Sequence, residues 1–173
     1  AESLMVVTAS PKHAERLRHE ITVKFAERPE LAEFAARDSA EPFAVLTLEQ
    51  SVAESRDRVI FSVGYGRTPH GRVLSDFGSL GRPGGERLLA VAMTRARRSM
   101  VIVTSFTPSD LDDGRMAHGA VALADILTEV GARLAEVPVP DDSEPMLVDL
   151  ARRLEGRGLT VALGHRGKLG LVA

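Results

Sequence analysis

Short runs of β-branched and apolar residues alternate along this chain with helix-length segments whose apolar positions recur every three or four residues. That alternation predicts strands joined by crossover helices in a mostly parallel sheet, an α/β fold with helices on the sheet faces. Ser3 to Thr8 reads as a buried strand. Ser10 follows as a helix cap with Pro11 at the first helical position, where a missing N–H costs nothing, and the helix is expected to run to about Ala26. Pro29 and the stretch Asp38-Ser39-Ala40-Glu41-Pro42 break the pattern. Phe43 to Thr47 and Arg58 to Val63 predict two further strands, each apolar enough for a sheet interior.

From Gly64 to Gly85 the chain is rich in glycine, proline and arginine, too irregular for a packed element and long enough for a functional loop. Glu86 to Arg97 resumes helical spacing, Arg98 to Ser105 predicts a strongly apolar strand, and Thr107-Pro108-Ser109-Asp110 opens a turn or short helix. A helix is expected from about Ala120 to Leu134. Val137 to Ser143 combines prolines with acidic residues and reads as a linker. Beyond it, Glu144 to Glu155 is helical in pattern, and Leu159 to Leu163 and Lys168 to Val172 are strand-like. These observations divide the chain into a main domain (1–136), a linker (137–143) and a tail (144–173) too small to be a domain by itself. The start at Ala1 without methionine and the stop just after a strand-like run lead us to expect a piece of a longer polypeptide.

Composition narrows the functional classes. With 44% hydrophobic and 27% charged residues and a net charge of −2, the chain has no overall field that draws it to a polyanion, so any contact with nucleic acid must be local. The chain has no cysteine, which removes disulfides, a thiolate zinc site and a cysteine nucleophile together, and fits a reducing cytoplasm, the expected location. Its apolar runs are far shorter than the roughly 20 residues that span a bilayer, so no membrane partner is expected. His13, His19, His70, His118 and His165 are scattered without metal-ligand spacing, and no glycine-rich loop ends in Lys-Ser or Lys-Thr, so the chain lacks a phosphate cradle of its own.

Chemistry concentrates in Gly84-Gly85-Glu86-Arg87-Leu88-Leu89-Ala90-Val91-Ala92-Met93-Thr94-Arg95-Ala96-Arg97-Arg98. At about 100° per residue, Arg95 returns seven positions after Leu88 to nearly the same face, beside the apolar stripe, while Arg97 points elsewhere. A guanidinium aimed inward needs an anionic partner. That partner is a carboxylate of the same domain or a phosphate delivered from outside, and a local salt bridge or a cap on the helix C-terminus satisfies the same spacing.

Ala90-Val91-Ala92-Met93-Thr94-Arg95-Ala96-Arg97 resembles motif VI of superfamily 1 DNA helicases, Asn-Val-Ala-x-Thr-Arg-Ala-Arg, with Ala90 in place of the leading Asn. The resemblance implies a second RecA-like domain of the P-loop NTPase type. It also implies that Arg95 is the arginine finger reaching the γ-phosphate of ATP, with Thr94 beside it, while ATP and Mg²⁺ are held by an upstream RecA-like domain of the same polypeptide. Val45 to Glu49 and Arg56 to Ser62 look like the two ends of helicase motif V. The middle departs from it, with Val52-Ala53 where the family has Gln-Gly and Ser55 where it has the Glu associated with the ribose. Thr47, at a strand end, either touches DNA backbone or serves as a plain β-former, the commoner role of a threonine there.

Ser62 to Leu74, Phe77-Gly78 and Gly84 to Arg87 resemble large bacterial helicase-related proteins with a C-terminal restriction-endonuclease-like domain, over most of residues 1–135. In that setting Arg67, His70 and Arg72 are expected to line a nucleic-acid path through phosphate contacts, and single-stranded DNA is the expected partner. A solvated loop whose glycines serve only turns has the same composition. Tyr65 stacks on a base or packs against the loop. Leu147 to Glu155 and Gly158 to Ala162 are similar to the first helix and strand of the endonuclease-like fold, whose Mg²⁺ ligands are expected beyond Ala173, with Asp149 and Glu155 as exposed helix charges. Two functional expectations follow: a motor half-domain that grips DNA and completes ATP hydrolysis, and a degenerate RecA-like module with a structural or partner-binding role.

Overall fold

The computed structural model describes residues 2–35, 40–68, 70, 72–75, 77–135, 152–153, 162–163 and 171–172. Its main unit is built on four parallel strands: β1 (Leu4–Thr8), β2 (Ala44–Thr47), β3 (Arg56–Ser62) and β4 (Ala96–Val103), in the order β2-β1-β3-β4. Three helices accompany them, α1 (Pro11–Glu27), α2 (Pro29–Ala35) and α3 (Gly85–Met93), and a further helix, α4 (Gly119–Ala135), follows β4 in the chain. This is the α/β class that the alternating pattern predicts.

The strand order fixes where the helices go. The crossover from β1 to β2 moves one way along the sheet and that from β3 to β4 moves the other way. Because parallel crossovers are right-handed, α1 and α3 fall on opposite faces. Val6 pairs with Val45 on one side and Ile60 on the other, so the three share a face, and Ala14, Leu17 and Ile21 of α1 pack on it. Met5, Val7, Val59 and Phe61 point the opposite way and are fully buried, as are Leu89 and Ala92 of α3.

Two local departures from the sequence expectation have clear causes. Pro29 interrupts the helical run as expected, α1 ending at Glu27, and it also starts a second helix, since proline at a first helical position loses no hydrogen bond; Leu31 N–H and Ala32 N–H close onto the Arg28 carbonyl at 3.0 and 3.3 Å. Phe43 then packs edge-on against Phe25 and lies tilted against Phe34, which ties α1 and α2 to the entry of β2.

The helix expected from Glu86 to Arg97 ends at Met93. Thr94 N–H returns to the Val91 carbonyl at 3.1 Å, and the strand begins at Ala96 because it pairs with Arg56 at the start of β3. Inter-strand hydrogen bonds over eight residues outweigh one more helical turn. Arg95 therefore sits in the joint between helix and strand, and the helical-face placement of Arg95 does not hold.

The chain divides into the units Ala1–Ala124 and Asp125–Ala173. In the second, Ala162–Leu163 (β5) pairs antiparallel with Leu171–Val172 (β6), within the two segments expected to be strands. The linker at 137–143 and most of the helix expected from Glu144 to Glu155, with Asp149 and Glu155, lie outside the described residues. Among the described residues no helix is long and apolar enough to cross a membrane.

Candidate functional site

All four strands of the main sheet run the same way, so it has an N-terminal rim and a C-terminal rim, separated along the seven residues of β3 by roughly 20 Å. The residues singled out by the sequence divide between them.

Arg95 and Thr94 occupy the N-terminal rim. The Thr94 hydroxyl donates to the Val91 carbonyl at 2.8 Å, and the Arg95 Nε donates to the same oxygen at 3.0 Å. One Arg95 terminal nitrogen donates to the Val52 carbonyl at 3.1 Å and the other to the Thr94 hydroxyl at 3.1 Å. The guanidinium thus caps the C-terminal end of α3, where the carbonyl dipoles favour a cation. Every one of these acceptors is neutral, and among the described residues no carboxylate lies within ion-pair distance of Arg95.

The contact to Val52 joins the two helicase-like stretches. β2 and β3 flank β1, so residues 48–55 must carry the chain back from one rim to the other in a single pass. A turn of 3-10 helix, Gln50–Ala53, shortens that path, and Leu48 N–H is anchored to the Thr8 carbonyl at 3.1 Å. Val52 is left exposed beside Arg95. Ser55 gives its carbonyl to the Arg56 guanidinium at 2.8 Å, and Arg56 N–H bonds the Arg95 carbonyl at 3.2 Å. Of the three departures from motif V, Val52 thus meets Arg95 directly through its carbonyl, and Ser55 meets the neighbouring Arg56 in the same way.

Arg97, the second arginine of the motif, holds the same rim together. It donates to Glu41 at 2.7 Å, to Asp57 at 3.1 Å and to the Ser3 hydroxyl at 3.1 Å, linking β1, β3 and β4. The Arg97 hydrogen bond, then that of Ser3, holds the Glu41 carboxyl down at about 2. Asp57 is lowered first by the Ser3 N–H and then by Arg97.

Thr47, Arg67, His70 and Arg72 belong to the C-terminal rim. Thr47 is buried, and its position is fixed by a reciprocal pair: its N–H donates to the Gln50 side-chain oxygen at 3.0 Å, and its hydroxyl accepts from Gln50 N–H at 3.4 Å. Arg67 and Val73 form a single antiparallel bridge, and Thr68 N–H bonds the Arg72 carbonyl at 2.7 Å, so this part of the loop is a small hairpin. His70 and Arg72 are exposed on it. Arg67 reaches Asp110 at 2.6 Å. The three side chains are therefore brought onto one short hairpin, on a different rim from Arg95.

Tyr65 packs against Phe77 at 5.1 Å in an edge-on arrangement, and Phe77 meets Phe106 at 5.6 Å. Of the two roles open to Tyr65, packing against the loop is the one it fills. Phe77 accepts a left-handed backbone, with φ 46°, to bury its ring completely beneath that loop.

Several polar residues of this rim escaped the sequence reading. His13 hydrogen-bonds the Ser62 hydroxyl at 2.8 Å where β1 and β3 diverge into opposite crossovers, and burial, then Arg16, lowers the imidazole pKa. Gly64, with φ +70°, passes so close to the His13 ring that a Cβ would overlap it. Arg18 forks onto the Val45 carbonyl at 3.1 and 2.6 Å and reaches Gln50 at 3.3 Å. Asp110 closes a capping box with Thr107, a spacing visible in Thr107-Pro108-Ser109-Asp110, but its partner Arg67 is 43 residues away and left no local sign.

The fold and these rims define an α/β protein on a parallel sheet whose switch point lies between β1 and β3. No protein-family model matches the chain, and no curated protein matches it. Among the described residues no group of three His, Asp or Glu side chains is arranged to hold a metal ion.

Proposed function

We propose that this chain is the second RecA-like domain of a superfamily 1 DNA helicase or DNA translocase acting in the cytoplasm. In this reading it closes on an upstream RecA-like domain of the same polypeptide that holds ATP and Mg²⁺. The observation that carries the reading is Arg95, poised beside Val52 with only neutral acceptors around its charge. A guanidinium in that state exchanges carbonyl partners for phosphoryl oxygens without leaving a carboxylate unpaired. ATP supplies the phosphoryl group, and Arg95 stabilises the negative charge that develops as it is transferred. Thr94 steadies the fork through its hydroxyl.

The hairpin carrying Arg67, His70 and Arg72 is assigned to the phosphates of single-stranded DNA, with Thr47 contributing through the Gln50 turn it caps. The deciding experiment measures DNA-stimulated ATP turnover of the full-length protein, wild type against Arg95→Ala. Loss of roughly 10³-fold or more in turnover is expected for a finger arginine. Full turnover in the variant overturns the assignment.

A second reading, a degenerate RecA-like module with a structural or partner-binding role, draws on the cap that Arg95 makes on α3 and on the residues Val52, Ala53 and Ser55. It expects unchanged turnover in Arg95→Ala together with a loss of stability.

A further inference from the structure

Arg67 and Asp110 differ in how firmly they are held. Asp110 uses one carboxylate oxygen to accept from Thr107 N–H at 2.9 Å and from the Thr107 hydroxyl at 3.1 Å, which closes the turn Pro108–Asp110. Its other oxygen accepts from Arg67 at 2.6 Å. The Asp110 side chain is 19% exposed, while that of Arg67 is 54% exposed. Hydrogen bonds from Thr107, its backbone N–H first, keep the carboxyl below its ordinary value, so it is charged at neutral pH. The carboxylate is therefore a fixed anion and the guanidinium an arm hinged on a hairpin.

We infer that Asp110 competes with nucleic-acid phosphate for Arg67, acting as a built-in anion that occupies the arginine until single-stranded DNA displaces it. This rests on the assignment of the Arg67 hairpin to DNA. A phosphate that captures Arg67 must break an ion pair that is only partly exposed. It then approaches an aspartate that cannot turn away, because Thr107 holds it. The consequence is a DNA contact that is weaker and less salt-sensitive than the same hairpin would give without the Asp110 charge. The same device favours release, which suits a site that must let go of DNA in every cycle. Neither His70 nor Arg72 has such a partner within ion-pair distance among the described residues, so the restraint is confined to Arg67.

The test uses the full-length protein and a fluorescein-labelled oligothymidylate, titrated over a range of salt concentrations. Asp110→Asn keeps an oxygen for Thr107 and removes the charge. It is expected to tighten binding about 2- to 5-fold, the scale of a partly exposed ion pair, and to steepen the slope of log K against log salt by about 0.7, one added phosphate contact on a single strand. Arg67→Ala is expected to weaken binding, and Asp110→Asn made in the Arg67→Ala background is expected to have no effect.

Asp110→Asn that binds the same or more weakly, while Arg67→Ala weakens binding, overturns the competition and leaves the DNA path in place. Tightening that persists in the double variant also overturns it, because the charge then acts elsewhere. If Arg67→Ala binds as well as wild type, the hairpin is not the DNA path and the inference falls with it. Thermal unfolding of each variant separates these outcomes from loss of the Thr107 turn.

Discussion

The Arg95 guanidinium donates to the Val52 carbonyl at 3.1 Å across 43 residues of sequence, which joins the end of α3 to the crossover between β2 and β3. Two segments that look like separate helicase motifs are thus one piece of structure. Arg95→Lys keeps the charge but loses the fork, so the Val91 and Val52 carbonyls can no longer both be met. On the proposed role, ATP turnover of the full-length protein falls with Arg95→Lys nearly as far as with Arg95→Ala. Loss of one or two hydrogen bonds at the helix end, about 1 kcal/mol, lowers the melting temperature by about 2–4 °C. Turnover restored by lysine makes the fork unnecessary.

Gly85 opens α3 directly against the backbone of Leu80, and a Cβ there would overlap the Leu80 carbonyl. Backbone cannot swing aside as a side chain can. Gly85→Ala is expected to cost about 2–3 kcal/mol, read as a fall in melting temperature of about 4–10 °C. Gly131, within α4, has open space where its Cβ would go, so Gly131→Ala should stabilise by about 0.5–1 kcal/mol. Opposite signs from the same substitution in two helices test the packing directly.

Arg56 is 5% exposed, and its guanidinium donates to the Pro42 carbonyl at 3.2 and 3.1 Å, to the Ser55 carbonyl at 2.8 Å and to Glu54 at 2.8 Å. Arg56→Met fills the volume and leaves those carbonyls without their donor. A loss of about 2–4 kcal/mol in urea unfolding is expected. An unchanged midpoint would mean that water replaces the guanidinium there.

Glu41 and Asp57 both have carboxyl pKa values lowered by their partners, Glu41 to about 2. A carboxylate lowered on folding adds stability that is fully present above its unfolded value, near 4.5 for Glu41, and lost as pH falls toward the folded value. Unfolding followed between pH 5 and pH 2 should therefore show wild type losing more stability than Arg97→Ala, which has already lost the partner. Added salt should narrow the difference, because both carboxylates are solvent-accessible. Parallel curves for the two proteins would assign the acid sensitivity to other carboxylates.

Much of the fold was legible in order along the chain. The apolar runs of β1, β2 and β3, the Ser10-Pro11 start of α1, the long loop after β3 and the span of α4 all follow from periodicity and turn chemistry, which act over a few residues. Arg95 and the hairpin residues Arg67, His70 and Arg72 were also visible as residue types. Their surroundings were not, since Val52, Asp110 and Ser62 reach their partners from 43 or more residues away.

The sequence by itself determined the α/β class, the local elements and the chemical groups this protein presents, because propensity, capping and hydrophobic period are local properties. Tertiary structure alone decided the strand order β2-β1-β3-β4, and with it the separation of Arg95 from Arg67, His70 and Arg72 onto different rims. It also decided that α3 stops at Met93, since Ala96 gains a hydrogen-bonded partner in Arg56 only once β3 lies beside it. Pairing between distant segments is a competition that no local pattern records.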